Sequence, residues 1–208
     1  ISAAGAISCA MELYERGFLP ESDVGMPLNF GNSQAVIQLT QDMAFKKGFG
    51  SILAEGSWRL AQKYGHPEYF MGSKKLDFPS YDPRGLQGMG LGYATNSRGA
   101  CHIRGEVHNL SLFGVSHWRL TKDQNLGHVD PLRWDDKPRI TADIQDWFCM
   151  IDSCGMCNFM FFLCLNEDNM IELIEAATGI MIGGRNGLMK IGERIFNQER
   201  LFNIKAGL

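Results

Sequence analysis

Apolar residues recur along this chain at the three- and four-residue spacing of a buried helix face, and almost nowhere at the alternating spacing of a strand. In "AAGAISCAMELYERG", Ile7, Met11 and Tyr14 share one face, and Gly17 stands where a helix takes a left-handed stop. "PESDVGMPLNFG" breaks the pattern and reads as a loop. Asn32 is placed to cap "SQAVIQLTQDMAFKKG", which turns Val36, Leu39 and Met43 inward, carries two lysines in its last turn and ends at Gly48. "SILAEGSWRLAQKYG" reads as one more helix, closed by Gly65.

In "MGSKKLDFPSYDPRG", Pro79 and Pro83 push the residues before them out of helical geometry, so a boundary is expected near residue 73. A glycine-rich stretch, "GLQGMGLGYATNSRGACHIRG", follows. Residues 105–138 are mixed and include a polar loop, "TKDQNLGHVDPLRWDDKP". Further helices are expected from Arg139 through Met150, from Asn166 to Gly179 with Met170, Leu173, Ile174 and Ala177 on one face, and over "GLMKIGERIFNQERLF". The predicted class is all-α and multihelical, in two helical blocks, 1–72 and 73–208.

Composition narrows the partners. A length of 208 residues with 45% hydrophobic positions supports a packed core. A net charge of −3 without any basic block argues against nucleic acid. No apolar run approaches the roughly 20 residues that span a bilayer. Six irregularly spaced cysteines do not make a disulfide scaffold, and a reducing cytoplasm is the expected compartment. Both ends look cut: the chain opens at Ile1 inside an apolar run and stops at "NIKAGL".

The densest chemistry is "DSCGMC", residues 152–157. Cys154 and Cys157 have the spacing of a redox dithiol, but that reading wants a preceding strand, and "ITADIQDWFCMI" looks helical. Cys149, Cys154 and Cys157 match the start of a plant-type ferredoxin motif, yet Phe148, Met150 and Ile151 are too apolar for the open loop it needs. Cys149, Cys157 and Cys164 fall on one helical stripe; Cys149 and Cys164 read as core, while Cys154 and Cys157 stay open. Asp152 is either a helix-end partner or a ligand acceptor.

Gly85, Gly88, Gly90 and Gly92 make a weak dinucleotide fingerprint, because no parallel strand leads into them. They suit either a flat cofactor or tight helix packing. "NSRGACHIRG" offers Arg98, Cys101, His102 and Arg104. His102 could work as acid or base, and the arginines could clamp phosphate or form ion pairs. His108, His117 and His128 show no metal spacing.

These residues also carry a resemblance. "SYDPRGLQGMGLGYATNSRGACHIRG", "AISCAMELYERG", the "FGN" helix start with its "LAEG", "GERIFNQERLFNIKAG" and the D-x-x-G-[LM]-C of "DSCGMC" resemble tungsten-dependent aldehyde:ferredoxin oxidoreductases, in order, over nearly the whole chain. The resemblance implies a catalytic subunit that holds tungsten, or molybdenum in some relatives, between two pyranopterins beside a [4Fe–4S] cluster. An N-terminal β domain forms the base and two helical domains cover it. Asp152 would then accept hydrogen bonds from a pterin amine, Gly155 and Met156 would present backbone to it with Met156 replacing the usual leucine, and Cys157 would be the cluster's fourth ligand. His102, or Cys101 in its stead, would lie near the metal, and Arg104 would meet the second pterin.

The family's C-x2-C-x3-C, its first pterin motif and its base domain are not in this chain. Residues 1–72 would end the second helical domain and 73–208 form the third, and the chain alone would carry neither metal nor cluster. The parent would oxidise aldehydes and pass electrons to ferredoxin, its partners being ferredoxin, the aldehyde and the missing domains. Met89, Leu91 and Met156 would be partly exposed on the opened face and favour self-association. Alternatives are a relative that reduces acids or activated aromatic rings, and a helical binding module without redox chemistry.

Overall fold

The helical periodicity is realised in both halves of the chain. The computed structural model describes residues 1–105, 107, 129–160 and 165–207. Among these, nine α-helices and one two-stranded hairpin are found. The chain divides into two units, Ile1–Pro79 and Ser80–Leu208. Among the described residues no helix is long and apolar enough to cross a membrane.

The first unit holds α1 (Ser2–Glu15), α2 (Glu21–Val24), α3 (Ser33–Phe45), α4 (Gly48–Leu53) and α5 (Ser57–Lys63), then a 3-10 turn (Pro67–Tyr69) and the hairpin β1 (Gly72–Ser73) and β2 (Leu76–Asp77). Ala6, Ala10 and Leu13 recur on the buried side of α1 and pack with Leu39, Leu53 and Leu60. Each fully buried leucine contributes about 1.5–3 kcal/mol of hydrophobic stabilisation. The end of α1 is a Schellman motif, in which Phe18 N–H donates to Leu13 O and Gly17 N–H to Tyr14 O, with Gly17 at φ 79°. Ile7 and Met11 are buried and Tyr14 is half-buried, as the spacing predicts.

Four expectations in this unit need correction. "PESD" is not all loop, because Glu21–Val24 makes one helical turn stopped by left-handed Gly25. The helix capped by Asn32, whose side chain accepts from Ala35 N–H, ends at Phe45; Lys46 takes the left-handed stop and Gly48 opens α4 instead of closing α3. Val36 is exposed, since Ala35 and Leu39 mark the buried side. The next predicted helix is two, broken at Gly56, whose φ of 91° no helix interior accepts. Gly65 does close α5, at φ 78°.

The second unit is organised around α7 (Lys137–Ser153), which buries Ile140, Ile144, Trp147, Phe148 and Ile151. It packs chiefly on α9 (Gly184–Lys205) and also on α6 (Gln87–Thr95), while α8 (Glu167–Thr178) packs on α9. Gly192 lets α9 approach, because a Cβ there would overlap the Asp146 carbonyl of α7. Gly88 does the same in α6, where a Cβ would overlap Val107. The glycine run is therefore a helix packed closely on its neighbours, and Met89 within it is buried rather than exposed. Leu91 and Met156 are half-buried. Asn166 and Asn169 form the capping box of α8 and Gly179 its left-handed end. On α8 Met170 is buried but Leu173 is exposed, contrary to the predicted face.

Candidate functional site

The chain leaving α6 is shaped by one buried amide. Asn96 is fully buried; its Nδ2 donates to the carbonyls of Cys101 and Arg104, both at 3.2 Å, and its Oδ1 accepts from Arg98 N–H at 3.0 Å. With Gly99 and Gly105 at φ 90° and 119°, these bonds curl residues 96–105 so that two arginines leave the same short loop. Arg104 turns inward and Arg98 outward.

Their common target is Asp152, in the last turn of α7. That helix ends in a second Schellman motif: Gly155 N–H donates to Asp152 O at 3.1 Å and Met156 N–H to Ile151 O at 3.2 Å, with Gly155 at φ 66°. The motif D-x-x-G-M is thus a helix terminator with an acid in its last turn. A carboxylate there faces the negative end of the helix dipole, at a cost of about 0.3–1 kcal/mol. Two arginines offset it. Arg104 NH2 donates to Asp152 Oδ2 at 2.8 Å, and Arg98 NH2 lies 3.8 Å from the same oxygen.

Arg104 is also tied to the last helix. Its NH1 donates to Glu199 Oε2 at 2.5 Å and to Cys149 Sγ at 3.4 Å. Ser97 Oγ donates to Glu199 Oε2 at 2.6 Å, and Asn203 Nδ2 to Ser97 O at 2.7 Å. The Arg104 side chain is 7% exposed, against 38% for Asp152 and 32% for Glu199. Burial works against the arginine's charge, but Glu199, Cys149 and Asp152 together raise its affinity for the proton above the ordinary value. Burial tends to raise the Glu199 carboxyl, and the bonds from Arg104 and Ser97 outweigh it, so the net shift is down. Burial pushes the Cys149 thiol up to about 12 even though Arg104 pulls the other way, so it stays protonated and belongs to the core. The Arg104 Nε is buried without a hydrogen-bond partner among the described residues. Beside this cluster an open groove of about 440 Å³ runs between residues 97–104 and Gln198, Glu199, Phe202 and Asn203.

Of the predicted site residues, Asp152 and Arg104 are brought into direct contact, and Gly155 and Met156 form the turn that follows Asp152. Cys154 and Cys157 are exposed free thiols. The stripe predicted through Cys149 and Cys157 does not exist, because α7 stops at Ser153 between them. His102 is half-buried with its ring 5.5 Å from Tyr81, and burial lowers its proton affinity. Cys101 is half-buried beside it. Cys164, His108, His117 and His128 lie outside the described residues. Sequence reasoning missed Asn96, Ser97 and Glu199. Glu199 sits in "NQERLF", where an acid on an amphipathic helix reads as solvated surface.

The residues suit one edge of a flat polar group. Asp152 presents a part-exposed acceptor, and a Cβ on Gly155 would meet nothing within 4 Å among the described residues, which leaves the backbone open to close approach on their side. A metal cluster is a different matter: among the described residues no three His, Cys, Asp or Glu side chains are arranged to hold a metal ion, and Cys157 offers a single sulfur.

A family model described as "Aldehyde ferredoxin oxidoreductase, domains 2 & 3" matches residues 1–208. The chain is 43% identical over 210 residues to a tungsten-containing aldehyde ferredoxin oxidoreductase of Pyrococcus furiosus and 41% identical over 210 residues to one of Thermococcus kodakarensis, covering all of this chain and 33% of each relative. It is 26% identical over 207 residues to an aliphatic sulfonate oxidoreductase, WOR-like subunit, of Pyrococcus furiosus, of which it covers 30%. The chain spans about a third of the length of these curated relatives. It belongs to the aldehyde ferredoxin oxidoreductase family, matching domains 2 and 3.

Proposed function

We propose that the parent protein is a tungsten bis-pyranopterin oxidoreductase that converts aldehydes and water to carboxylic acids, releasing two protons and two electrons that leave through a [4Fe–4S] cluster to ferredoxin. The observation that carries this is the exposed Asp152 carboxylate, held against an unfavourable helix end by Arg104 and Arg98 and followed by the open turn at Gly155. A packing role alone would not call for a buried cation to keep an acid at that position. Identity of 43% to an aldehyde oxidoreductase, against 26% to the sulfonate relative, favours aldehyde as substrate.

In this scheme the first helical block belongs to domain 2 and the second to domain 3. The tungsten–pterin group supplies the redox chemistry. Asp152 would accept hydrogen bonds from a pterin amine and Gly155 and Met156 would let the pterin lie close to backbone, while Arg104, expected from the sequence to meet the second pterin, would serve by holding Asp152 from behind. Cys157 contributes one thiolate to the cluster, and the remaining three come from chain outside these residues. His102, which burial holds in its neutral form at pH 7, accepts a proton released during oxidation.

The test uses the full-length protein. Purified anaerobically, it should contain tungsten and iron and reduce ferredoxin with an aliphatic aldehyde. Cys157→Ser should weaken the iron–sulfur absorbance and stop transfer to ferredoxin, Asp152→Asn should loosen the pterin without abolishing its binding, and His102→Ala should keep both while turnover falls by about 10²–10⁴-fold. A full-length protein that binds no tungsten would refute the assignment and leave the helical binding module.

A further inference from the structure

We infer that Glu199, from the last helix of the chain, is a positioning residue for the pterin-binding carboxylate Asp152, acting through Arg104. It rests on the assignment of Asp152 to the pterin proposed above. A guanidinium is a rigid planar fork, so fixing one arm fixes the other. Here one terminal nitrogen of Arg104 is bonded to Glu199 Oε2 at 2.5 Å and the other to Asp152 Oδ2 at 2.8 Å.

The two carboxylates come from different helices, α9 and α7, and are joined through this arginine. Glu199 is itself held by Ser97 Oγ at 2.6 Å, and Ser97 by Asn203 Nδ2 at 2.7 Å, so the clamp closes back on α9. Arg98 and Arg104 against Asp152 and Glu199 give two cations and two anions, a neutral set. Arg104 has its two terminal nitrogens engaged by protein and is 7% exposed, which suits a brace better than a hand offered to ligand. Its fork holds Asp152 Oδ2, so the partly exposed carboxylate is fixed in place just before the Gly155 turn.

The rate at which the full-length holoenzyme releases pterin in mild urea tests this, followed by pterin fluorescence, with the unfolding midpoint measured on the same samples. Asp152→Asn should accelerate release. Glu199→Gln should accelerate it by about tenfold, the usual scale for removing the partner behind a ligand-holding side chain. In an Asp152→Asn background Glu199→Gln should add less than about twofold, because its effect passes through Asp152.

An equal acceleration in both backgrounds, or none in the wild type, overturns the proposal. If Asp152→Asn itself leaves release unchanged, the pterin assignment falls first, whatever Glu199→Gln does. Should Glu199→Gln fail to fold, Ser97→Ala, which removes only a hydrogen bond to Glu199, should give a smaller acceleration, likewise lost without Asp152. No acceleration from Ser97→Ala then counts against the proposal.

Discussion

Asp146 illustrates what a single half-buried carboxyl does to this unit. Burial, with the charges of Glu193 and Asp143, raises it to about 7. In the unfolded chain an aspartate titrates near about 3.9. Between those values the folded state keeps a proton that the unfolded state has lost, so this group's contribution is fully present below about pH 4 and is lost as pH rises through about 7. The urea midpoint of Asp146→Asn relative to the parent full-length protein should therefore rise between pH 5 and pH 8. A difference that stays flat across that range would show Asp146 ionised in the fold. Gly155 makes a second residue-scale case. Gly155→Ala places a side chain at φ 66° and should destabilise by about 1–2 kcal/mol, through backbone strain and not through a clash, since the space is open. Asp152 was legible in the sequence as an acid at a helix end or a ligand acceptor, whereas Gly155 entered only through the family resemblance, since the helix was expected to stop at Met150. Glu199 and Asn96 were not legible, because what gives each its role is a partner distant in sequence or a loop carbonyl that no pattern marks.

Elements were legible where stop and start signals agreed with the apolar spacing. Asn32, Asn166, Gly17, Gly65 and Gly179 all mark ends as expected. The failures share a cause. Gly48 and Gly56 were read against the wrong neighbour, one as a stop where it opens α4 and the other as a tolerated interior residue where it breaks the chain. Two positive-φ residues in close succession, Lys46 then Gly48 after one extended lysine, could not be inferred from lysines that look like a helix tail. The α7–α9 crossing gives the sharpest element-scale prediction. Gly192→Ala would press a methyl into the Asp146 carbonyl, and the helices must part to relieve it. An overpacked contact of this kind costs typically about 1–3 kcal/mol, to be read from the urea midpoint. An unchanged midpoint would mean the crossing is looser than the structure has it.

At the scale of the molecule, the second unit brings the proposed pterin-binding residues Asp152 and Arg104 together without completing a metal site among the described residues. Chain 1–208 expressed alone and offered iron and sulfide should take up less than one cluster per chain, because Cys9 and Cys149 are buried and four thiolates are what a [4Fe–4S] cluster usually needs. A stoichiometric cluster band would show that these residues suffice. The central helix α7 also sets a limit on how the whole can vary. It runs without interruption from Lys137 to Ser153, seated on α6 and α9, and delivers Asp152 to Arg104 from its final turn. Each residue of a helix advances it by about 1.5 Å and turns it by about 100°. One residue inserted or deleted anywhere along α7 would leave the core side packed only by swinging the acid a quarter-turn or more away from its arginine. The helix works as a ruler with its zero in the core and its mark at Asp152. Changes in chain length should therefore be tolerated in the connections that flank it and not within it.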